Sequence, residues 1–241
     1  MLNSFDSIPA QDRIITALDC DADEALDIAR SLSGHAKWIK IGMTLYYACG
    51  PDIVSRFKDM GFKVFLDLKL HDIPFQVHGG AYSAALTGAD MLTMHTLGGV
   101  EMLKQGRMGV IEAAERRGGE EPITLGITVL TSMDEDALSS IGLNRTPAEQ
   151  VELLATIAKQ SGISGVVASP QEASKLREIL GPDAYIVTPG VRPAGSDLGD
   201  QSRVATPQQA FANGASHIVI GRPITKAESP VKAFENIVSS I

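Results

Sequence analysis

The sequence predicts a (β/α)₈ barrel in which residues 1–241 form a single domain. Eight short β-rich runs alternate with helical patterns along the whole chain, and no linker, low-complexity tract or charge run divides it. Strands that alternate with helices favour a parallel sheet, and eight such units at this length favour a closed barrel. An open doubly wound sheet is the alternative, but no GxGxxG motif follows the first strand.

The predicted strands are short apolar runs, and several of them follow a glycine. A glycine at this point fits the end of the preceding helix, where a positive φ is disfavoured for other residues. In chain order the runs are DRIITALD, AKWIKIG, MGFKVFLDLK, TGADMLTMHT, PITLGITVL, SGISGVVASP, DAYIVTPG and NGASHIVIGR.

Helical patterns occupy most of the intervals between these strands. They are predicted over Ala22–Leu32, Ile53–Met60, Val100–Arg117, Pro147–Gln160, Pro170–Leu180, Pro207–Asn213 and Pro230–Ile241. The two longest irregular stretches, Thr131–Thr146 and Arg192–Thr206, each follow a strand. Long loops in this position are usually lids or binding loops, so we expect both to border a site.

Composition limits the classes of partner. The net charge of −8 argues against nucleic acid and anionic membranes. No apolar run approaches the roughly 20 residues that span a bilayer, and the first residues do not resemble a secretory signal. Cys20 and Cys49 lack metal-ligand spacing, which is typical of reduced thiols in a cytoplasmic protein. Because the chain is acidic overall, a site for an anionic substrate would have to concentrate positively charged side chains locally.

The stretch VFLDLKLHDIP, residues 64–74, places charged side chains at the end of an apolar strand. Asp67 and Lys69 are two residues apart, so we expect them to project together into the barrel mouth. Lys40 on the neighbouring strand can lie beside them, and Asp72 can return from the following loop. Alternating charges would hold both lysines charged and fixed. A salt-bridge cluster that only closes the barrel is the alternative.

A second group of residues suggests a phosphate site after strands seven and eight. Gly190 and Gly221 allow close backbone approach to an anion, and Arg192 and Arg222 add positive charge. Phosphate sites in these barrels commonly form from the same two loops. Turn glycines beside solvated arginines are the alternative for either motif alone.

Other strand ends also carry polar residues. Strand one ends in Asp19, strand four in His95 and strand five in Thr131. His95 has no second histidine at metal-ligand spacing, so packing is favoured over a metal site, and no metal is predicted. His71 is expected to pack or to support the site rather than to catalyse.

Four motifs in order, IKIG, LDLKLHDIP, VTPGVRP and IGRPIT, closely resemble the bacterial orotidine 5′-phosphate decarboxylase family. The resemblance runs from about Arg13 to the C-terminus. It implies a (β/α)₈ barrel, a homodimer with sites at the subunit interface, and no metal or organic cofactor. It also implies conversion of orotidine 5′-phosphate to uridine 5′-phosphate and CO₂, the last step of de novo pyrimidine nucleotide synthesis.

The resemblance assigns roles to individual residues. Lys69 would donate a proton to C6 of the pyrimidine, and Asp72 would reach into the partner subunit's site. The charged tetrad would be Lys40, Asp67, Lys69 and Asp72. The residues expected to contact substrate are Asp19, Lys40, Asp67, Ile73, Gln76, Thr131, Arg192, Gln201, Gly221 and Arg222. One departure is that the family commonly reads HDIPNT where this chain reads HDIPFQ, which puts the Gln76 contact in doubt.

Two other functions remain open at this point. Phosphosugar decarboxylases and hexulose-phosphate synthases also carry DxKxxD but use Mg²⁺ to stabilise an enediolate. A non-catalytic sensor of nucleotide phosphates could keep the phosphate loops. The complete tetrad argues against the sensor, and the pairing of Asp19 with Lys40 suits a nucleotide ribose better than a phosphosugar.

Overall fold

Eight parallel strands form a closed barrel, each paired with the next along the chain and the last with the first. The structure is a computed structural model that describes residues 3–193 and 205–241. Its strands are β1 Ile14–Leu18, β2 Trp38–Gly42, β3 Lys63–Leu70, β4 Met91–His95, β5 Ile123–Ile127, β6 Gly165–Val167, β7 Tyr185–Thr188 and β8 His217–Ile220. The predicted (β/α)₈ barrel is confirmed, and the open doubly wound sheet is wrong.

Helices surround the barrel. They are α1 Ala22–Leu32, α2 Met43–Cys49, α3 Asp52–Asp59, α4 Pro74–Leu86, α5 Gly99–Arg117, α6 Glu135–Ser140, α7 Pro147–Ser161, α8 Ala173–Leu180, α9 Pro207–Ala212, α10 Arg222–Thr225 and α11 Pro230–Ser239. The predicted α1 has the observed bounds, whereas α6 lies in a stretch expected to be irregular. Within the described ranges, no helix combines the length and apolar composition needed to cross a bilayer.

Helix α4 was not among the predicted helices, and its glycines explain why. Gly79 and Gly80 lie in its middle, where glycine disfavours helix. The helix is instead stabilised by close packing on α5, because a side chain at Gly109 would come within 2.3 Å of the carbonyl oxygen of His78. Tertiary contact therefore outweighs the local preference of the chain.

The core has two layers that follow the alternation of the strands. In β1, Ile15 and Ala17 face the barrel interior, whereas Ile14 and Leu18 face the helices. The interior cluster consists of Ile15, Ala17, Trp38, Phe65, Met91, Leu125, Val187 and Val219. Apolar side chains fill the barrel, so any site must lie at its mouth.

The amino-terminal end of the barrel, called the floor below, is closed by an aromatic group and two arginines. Phe5 contacts Tyr185 edge to face, with ring centroids 4.8 Å apart, and His217 packs on both rings. Arg13 donates hydrogen bonds to two main-chain carbonyls, and Arg177 donates to carbonyls of four residues. The floor is therefore a closed structural layer.

Candidate active site

Strand β3 is irregular at its carboxyl end, where the charged residues lie. Its pairing with β4 moves from Leu66–Leu92 to Leu70–Met94, an advance of four residues in β3 against two in β4. Within this bulge Lys69 has a φ of 53°, the one positive φ among the described residues other than glycine. A residue with a side chain is strained in this region. Bulges of this kind redirect side chains beside active sites.

Four charged side chains alternate in sign across the barrel mouth. The ammonium of Lys69 lies 2.8 Å from Oδ2 of Asp67. The ammonium of Lys40 lies 2.9 Å from Oδ1 of Asp19 and 3.7 Å from the same Oδ2 of Asp67. The structure thus brings together the first three strand ends, as the sequence predicts, and Asp67 sits between the two lysines.

Asp67 is the more enclosed of the two carboxylates, with 13% of its side chain exposed against 59% for Asp19. Burial alone would raise its pKa, but the positive charges of Lys40 and Lys69 oppose this effect. Hydrogen bonds from Lys69 and Thr93 act in the same direction, and the net result is a pKa below the ordinary value. Asp67 is therefore an anion that fixes the positions of two cations.

Gly42 at the end of β2 gives this cluster its room. A Cβ atom there would come within 2.7 Å of Oδ1 of Asp19 and 3.2 Å of the ammonium of Lys40. Both contacts involve the ion pair itself, so a side chain at position 42 would push its partners apart. The glycine is required by close approach rather than by backbone conformation.

Two cavities open at the mouth and meet at the charged cluster. The charged cavity has a volume of about 530 Å³, and Asp19, Gly190, Arg192, Gly221 and Arg222 are among its lining residues. The predicted phosphate residues that the structure describes therefore lie together. They occupy one side of the mouth, after β7 and β8.

The apolar cavity has a volume of about 240 Å³ and is lined mainly by β3 and the loop after β5, with single residues from other strands. Phe65, Ile127, Val129 and Val167 contribute apolar surface, and Thr131 is a polar lining residue. The expectation that strand five ends at Thr131 is wrong, because β5 ends at Ile127 and Thr131 follows in the loop.

The two cavities share three charged residues. Lys40, Asp67 and Lys69 line both of them. The site is therefore bipartite, with a cationic half, an apolar half and the lysine–aspartate cluster at the junction. A ligand with a flat ring at one end and an anionic group at the other matches this arrangement.

Three predicted site residues do not line either cavity of their own chain. Asp72, Ile73 and Gln76 lie at the start of α4 with exposed side chains. Asp72 accepts a hydrogen bond from the amide of Ile73 and takes part in no ion pair among the residues described. The sequence predicted that Asp72 could return from the loop to the mouth of its own chain, but it does not. Gln201 lies outside the described residues.

The two histidines beside the mouth stack on each other. The rings of His71 and His95 are 5.2 Å apart and nearly parallel. Burial and, to a smaller extent, the nearby His71 and Lys69 together lower the pKa of His95 to about 4. The observed stacking agrees with the expectation that both residues pack. In the described ranges, no cluster of His, Cys, Asp and Glu is arranged to hold a metal ion.

Sequence reasoning missed Thr93. Its hydroxyl accepts a hydrogen bond from the amide of Lys69 at 2.9 Å and donates one to Oδ1 of Asp67 at 3.0 Å. The signal available in the sequence was one polar residue within the apolar run MLTMH. That signal was weak because a threonine in a strand usually reflects β-propensity alone.

Comparison with known proteins identifies the family. A family model described as orotidine 5′-phosphate decarboxylase / HUMPS matches residues 12–237. The chain belongs to the orotidine 5′-phosphate decarboxylase / HUMPS family. It is 46% identical over 234 residues to the orotidine 5′-phosphate decarboxylase of Moorella thermoacetica, covering 96% of this chain and 93% of that protein. It is 44% identical to that of Pseudoalteromonas translucida, covering 95% of this chain and 97% of that protein.

A solved structure supports the same conclusion. The crystal structure of orotidine 5′-phosphate decarboxylase from Lactobacillus acidophilus matches with a TM-score of 0.84 and 40% identity. The match covers 95% of this chain and 98% of that one. The relatives in this family are therefore similar in sequence and in fold over nearly their full length.

The chain departs from the common pattern of its orotidine 5′-phosphate decarboxylase family at the start of α4. Phe75, which the resemblance marks as a departure from the expected asparagine, is 80% exposed. Gln76, where the resemblance leads us to expect a threonine, is also exposed.

Proposed function

We propose that this chain converts orotidine 5′-phosphate to uridine 5′-phosphate and CO₂, the last step of de novo pyrimidine nucleotide synthesis. The observation that carries the proposal is the bipartite site, with Lys69 at the junction of its two halves. The apolar cavity suits a pyrimidine ring and the arginine side suits a phosphate. The ring carbon that loses its carboxylate would then lie beside the lysine.

The reaction requires fixed positive charge. When the bond between C6 and the carboxylate breaks, the electron pair stays on C6, where no adjacent carbonyl accepts it. The ammonium of Lys69 stabilises this charge and transfers one proton to C6, and solvent then returns a proton to the amine. Lysine supplies the charge, so the proposal assigns no role to a metal or an organic cofactor.

Asp67 serves this chemistry by holding Lys69. Its carboxylate is ionised, largely enclosed and 2.8 Å from the ammonium, so the lysine needs little reorganisation when charge develops. Lys40 lies on the opposite side and pairs with Asp19, which is the more exposed of the two carboxylates. We assign Asp19 and Lys40 to the ribose hydroxyls.

The remaining contacts divide between the two halves of the site. Thr131 is assigned to the edge of the pyrimidine, and Gly221 and Arg222 to the phosphate. Arg192 and Gln201 are assigned to the phosphate and the adjacent base, although Gln201 lies outside the described residues. Binding energy from the phosphate side would also contribute to catalysis, because remote contacts can be used to organise the reacting centre.

A direct assay tests the proposed function. The protein is mixed with orotidine 5′-phosphate, with and without EDTA, and both CO₂ release and the loss of orotate absorbance are followed. We expect turnover that EDTA does not change. Turnover that EDTA abolishes and Mg²⁺ restores would favour the magnesium-dependent members of the superfamily. Absence of CO₂ release would contradict the proposal.

We also propose that the active form is a homodimer with shared sites, in which Asp72 enters the site of the partner. Exposed apolar side chains follow the mouth ends of three adjacent strands: Met43, Tyr47, Ile73, Phe75 and Leu97. A second copy that covers this surface would bury them and would place Asp72, Ile73 and Gln76 near a neighbouring mouth. Exposed large apolar side chains grouped at one end of a fold are typical of subunit interfaces.

Complementation between inactive chains tests the shared site. Lys69→Ala and Asp72→Ala chains are mixed under conditions that exchange subunits. Half of the dimers would be hybrids with one intact site of two, so about a quarter of wild-type activity should return. Mixing Lys69→Ala with Asp67→Ala is the matched control, because both residues belong to the same chain's site and no activity should return. Failure of the first pair, with hybrids verified, would contradict the shared site.

Two further proposals concern the chain as a whole. We propose that residues 1–241 form one domain, which is supported by the family match over residues 12–237. We propose a cytoplasmic location, which is supported by Cys20 and Cys49, both of which are free thiols.

A further inference from the structure

The bulge in β3 removes the ordinary backbone partner of the residue that carries the proposed chemistry. Between Leu66 and Leu70 the ladder with β4 is interrupted, so the amide of Lys69 has no carbonyl opposite it in that ladder. An amide that is partly buried, as this one is, costs free energy when it has no acceptor. The hydroxyl of Thr93 on β4 takes the place of the missing carbonyl, with an N–O distance of 2.9 Å.

The same hydroxyl also fixes the partner of the lysine ammonium. Thr93 donates to Oδ1 of Asp67 at 3.0 Å, and Oδ2 of Asp67 pairs with the ammonium of Lys69 at 2.8 Å. These contacts form a closed ring from the amide of Lys69, through Thr93 and Asp67, to the ammonium of Lys69. Both ends of the lysine are therefore held by one threonine and one carboxylate.

We propose that Thr93 is a positioning residue that fixes the backbone and the ammonium of Lys69 for proton transfer. The inference rests on the proposed function above. It goes beyond that function because it assigns the position of the proton donor to a residue on a different strand. Thr93 is 1% exposed and acts through Lys69 and Asp67 rather than by lining either cavity.

A hydroxyl is suited to this task because it accepts one hydrogen bond and donates another. Valine has nearly the same shape but offers neither. Serine keeps the hydroxyl and loses only a methyl group. At a site this buried, water does not readily replace the lost group, so Lys69 is expected to leave its positive φ or to move away from Asp67 in the valine variant.

The test compares Thr93→Val with Thr93→Ser in the full chain. We expect Thr93→Val to lower kcat by about tenfold to 10²-fold with KM changed by less than about threefold, because small misplacement of a reacting group has effects of this size. Thr93→Ser should recover most of that loss. A crystal structure of Thr93→Val should show a changed Lys69 φ or an ammonium more than about 4 Å from Asp67.

Thr124→Val is the matched control. Thr124 is equally buried, lies on β5 next to β4, and its hydroxyl contacts that of Ser164 at 3.2 Å. It lies at the beginning of its strand, away from the mouth, so the variant should lose stability without a change in kcat. If the loss of any buried hydroxyl lowers kcat, both variants will show the loss. If Thr93 positions Lys69, kcat will fall in Thr93→Val alone.

Two outcomes would overturn the inference. One is a kcat for Thr93→Val within about threefold of wild type, and the other is a failure of Thr93→Ser to recover activity that Thr93→Val has lost. If the wild-type chain does not release CO₂ from orotidine 5′-phosphate, the proposed function fails instead. In that case the crystal structure alone decides whether Thr93 positions Lys69, and an unchanged Lys69 would reject it.

Discussion

The two ends of the barrel bury positive charge in different ways. At the floor, Arg13 and Arg177 are 5% and 4% exposed, and nearly all their hydrogen bonds go to main-chain carbonyls. At the mouth, Lys40 and Lys69 pair with carboxylates and line open cavities. At the floor, the positive φ angles beside Arg177 belong to Gly181 and Gly214, where they cause little strain, whereas the mouth contains a bulge and a strained lysine.

This difference distinguishes a structural use of charge from a functional one. When main-chain carbonyls accept the hydrogen bonds of an arginine, few donors remain for another ligand. The floor arginines therefore stabilise the connecting segments and do not form a binding site. Carboxylate partners keep a lysine charged while part of its ammonium faces a cavity. Strain of the backbone at Lys69 is compatible with this interpretation, because such strain persists where the surroundings enforce it and is common at active sites.

The largest effect expected from this comparison is on turnover. Lys69→Ala should lower kcat by at least about 10³-fold, because it removes both the developing-charge stabiliser and the proton donor. Substrate binding should largely persist, since Arg222 is unchanged. Steady-state kinetics and isothermal titration with uridine 5′-phosphate measure the two quantities.

Lys58→Ala is the matched control for that variant. Lys58 is 31% exposed and pairs with Asp90 at 2.6 Å, whereas Lys69 is 30% exposed and pairs with Asp67 at 2.8 Å. Lys69 lines both cavities at the mouth, whereas Lys58 lines neither of them. Near-normal turnover in Lys69→Ala, or an equal loss in Lys58→Ala, would contradict the distinction between the two uses of charge.

The second effect concerns the floor. Arg177→Met should lower the free energy of unfolding by more than about 3 kcal/mol, because carbonyls of four residues lose a charged donor in a buried layer. Denaturant unfolding measures the change. The kcat of the folded fraction should stay at the wild-type value, and a specific loss of kcat would show that the floor contributes to the site.

Much of this comparison could be predicted from the sequence, and the missing parts have physical reasons. The strand order and the convergence of Asp19, Lys40, Asp67 and Lys69 follow from periodicity and from the rule that strand ends form the site. The bulge could not be predicted, because it depends on the register of β3 against β4 rather than on either strand alone.

The position of the start of α4 shows a second limit. Asp72 follows Lys69 by three residues, yet its side chain lies on the surface of its own chain. Spacing along the sequence gives the distance between two residues but not the direction of the chain after a strand ends. The resemblance to the family supplied the alternative of a shared site, which stays a prediction.

The third effect is the pH dependence of stability at the floor. Burial lowers the pKa of His217 to about 3, and the positive charges of Arg13, Lys37 and Lys63 act in the same direction. The ordinary value is 6.5, so between about pH 6.5 and 3 the unfolded chain binds a proton that the folded chain excludes. His217 therefore destabilises the fold as the pH falls through this window and has no such effect above it.

His217→Gln should remove this sensitivity. Between about pH 7 and pH 5 the variant should lose about 2 kcal/mol less stability than wild type, since the slope for one proton is about 1.4 kcal/mol per pH unit. Denaturant unfolding at the two pH values measures the change in stability for each protein. Any effect of the substitution that is the same at both pH values cancels from this change. Parallel losses in the two proteins would mean that His217 is protonated in the fold.

The smallest effect isolates the strain at Lys69. Lys69→Gly and Lys69→Ala both remove the ion pair with Asp67, so their difference in stability reports the backbone alone. The glycine variant should be more stable by about 1 kcal/mol, because a φ of 53° is unfavourable for alanine.

Lys63 begins the same strand at the floor end and has no positive φ. At this position Lys63→Gly should be less stable than Lys63→Ala by roughly 0.5–1 kcal/mol, which is the reverse of the order at position 69. The same order at both positions would show that the mouth end of β3 is no more strained than its floor end.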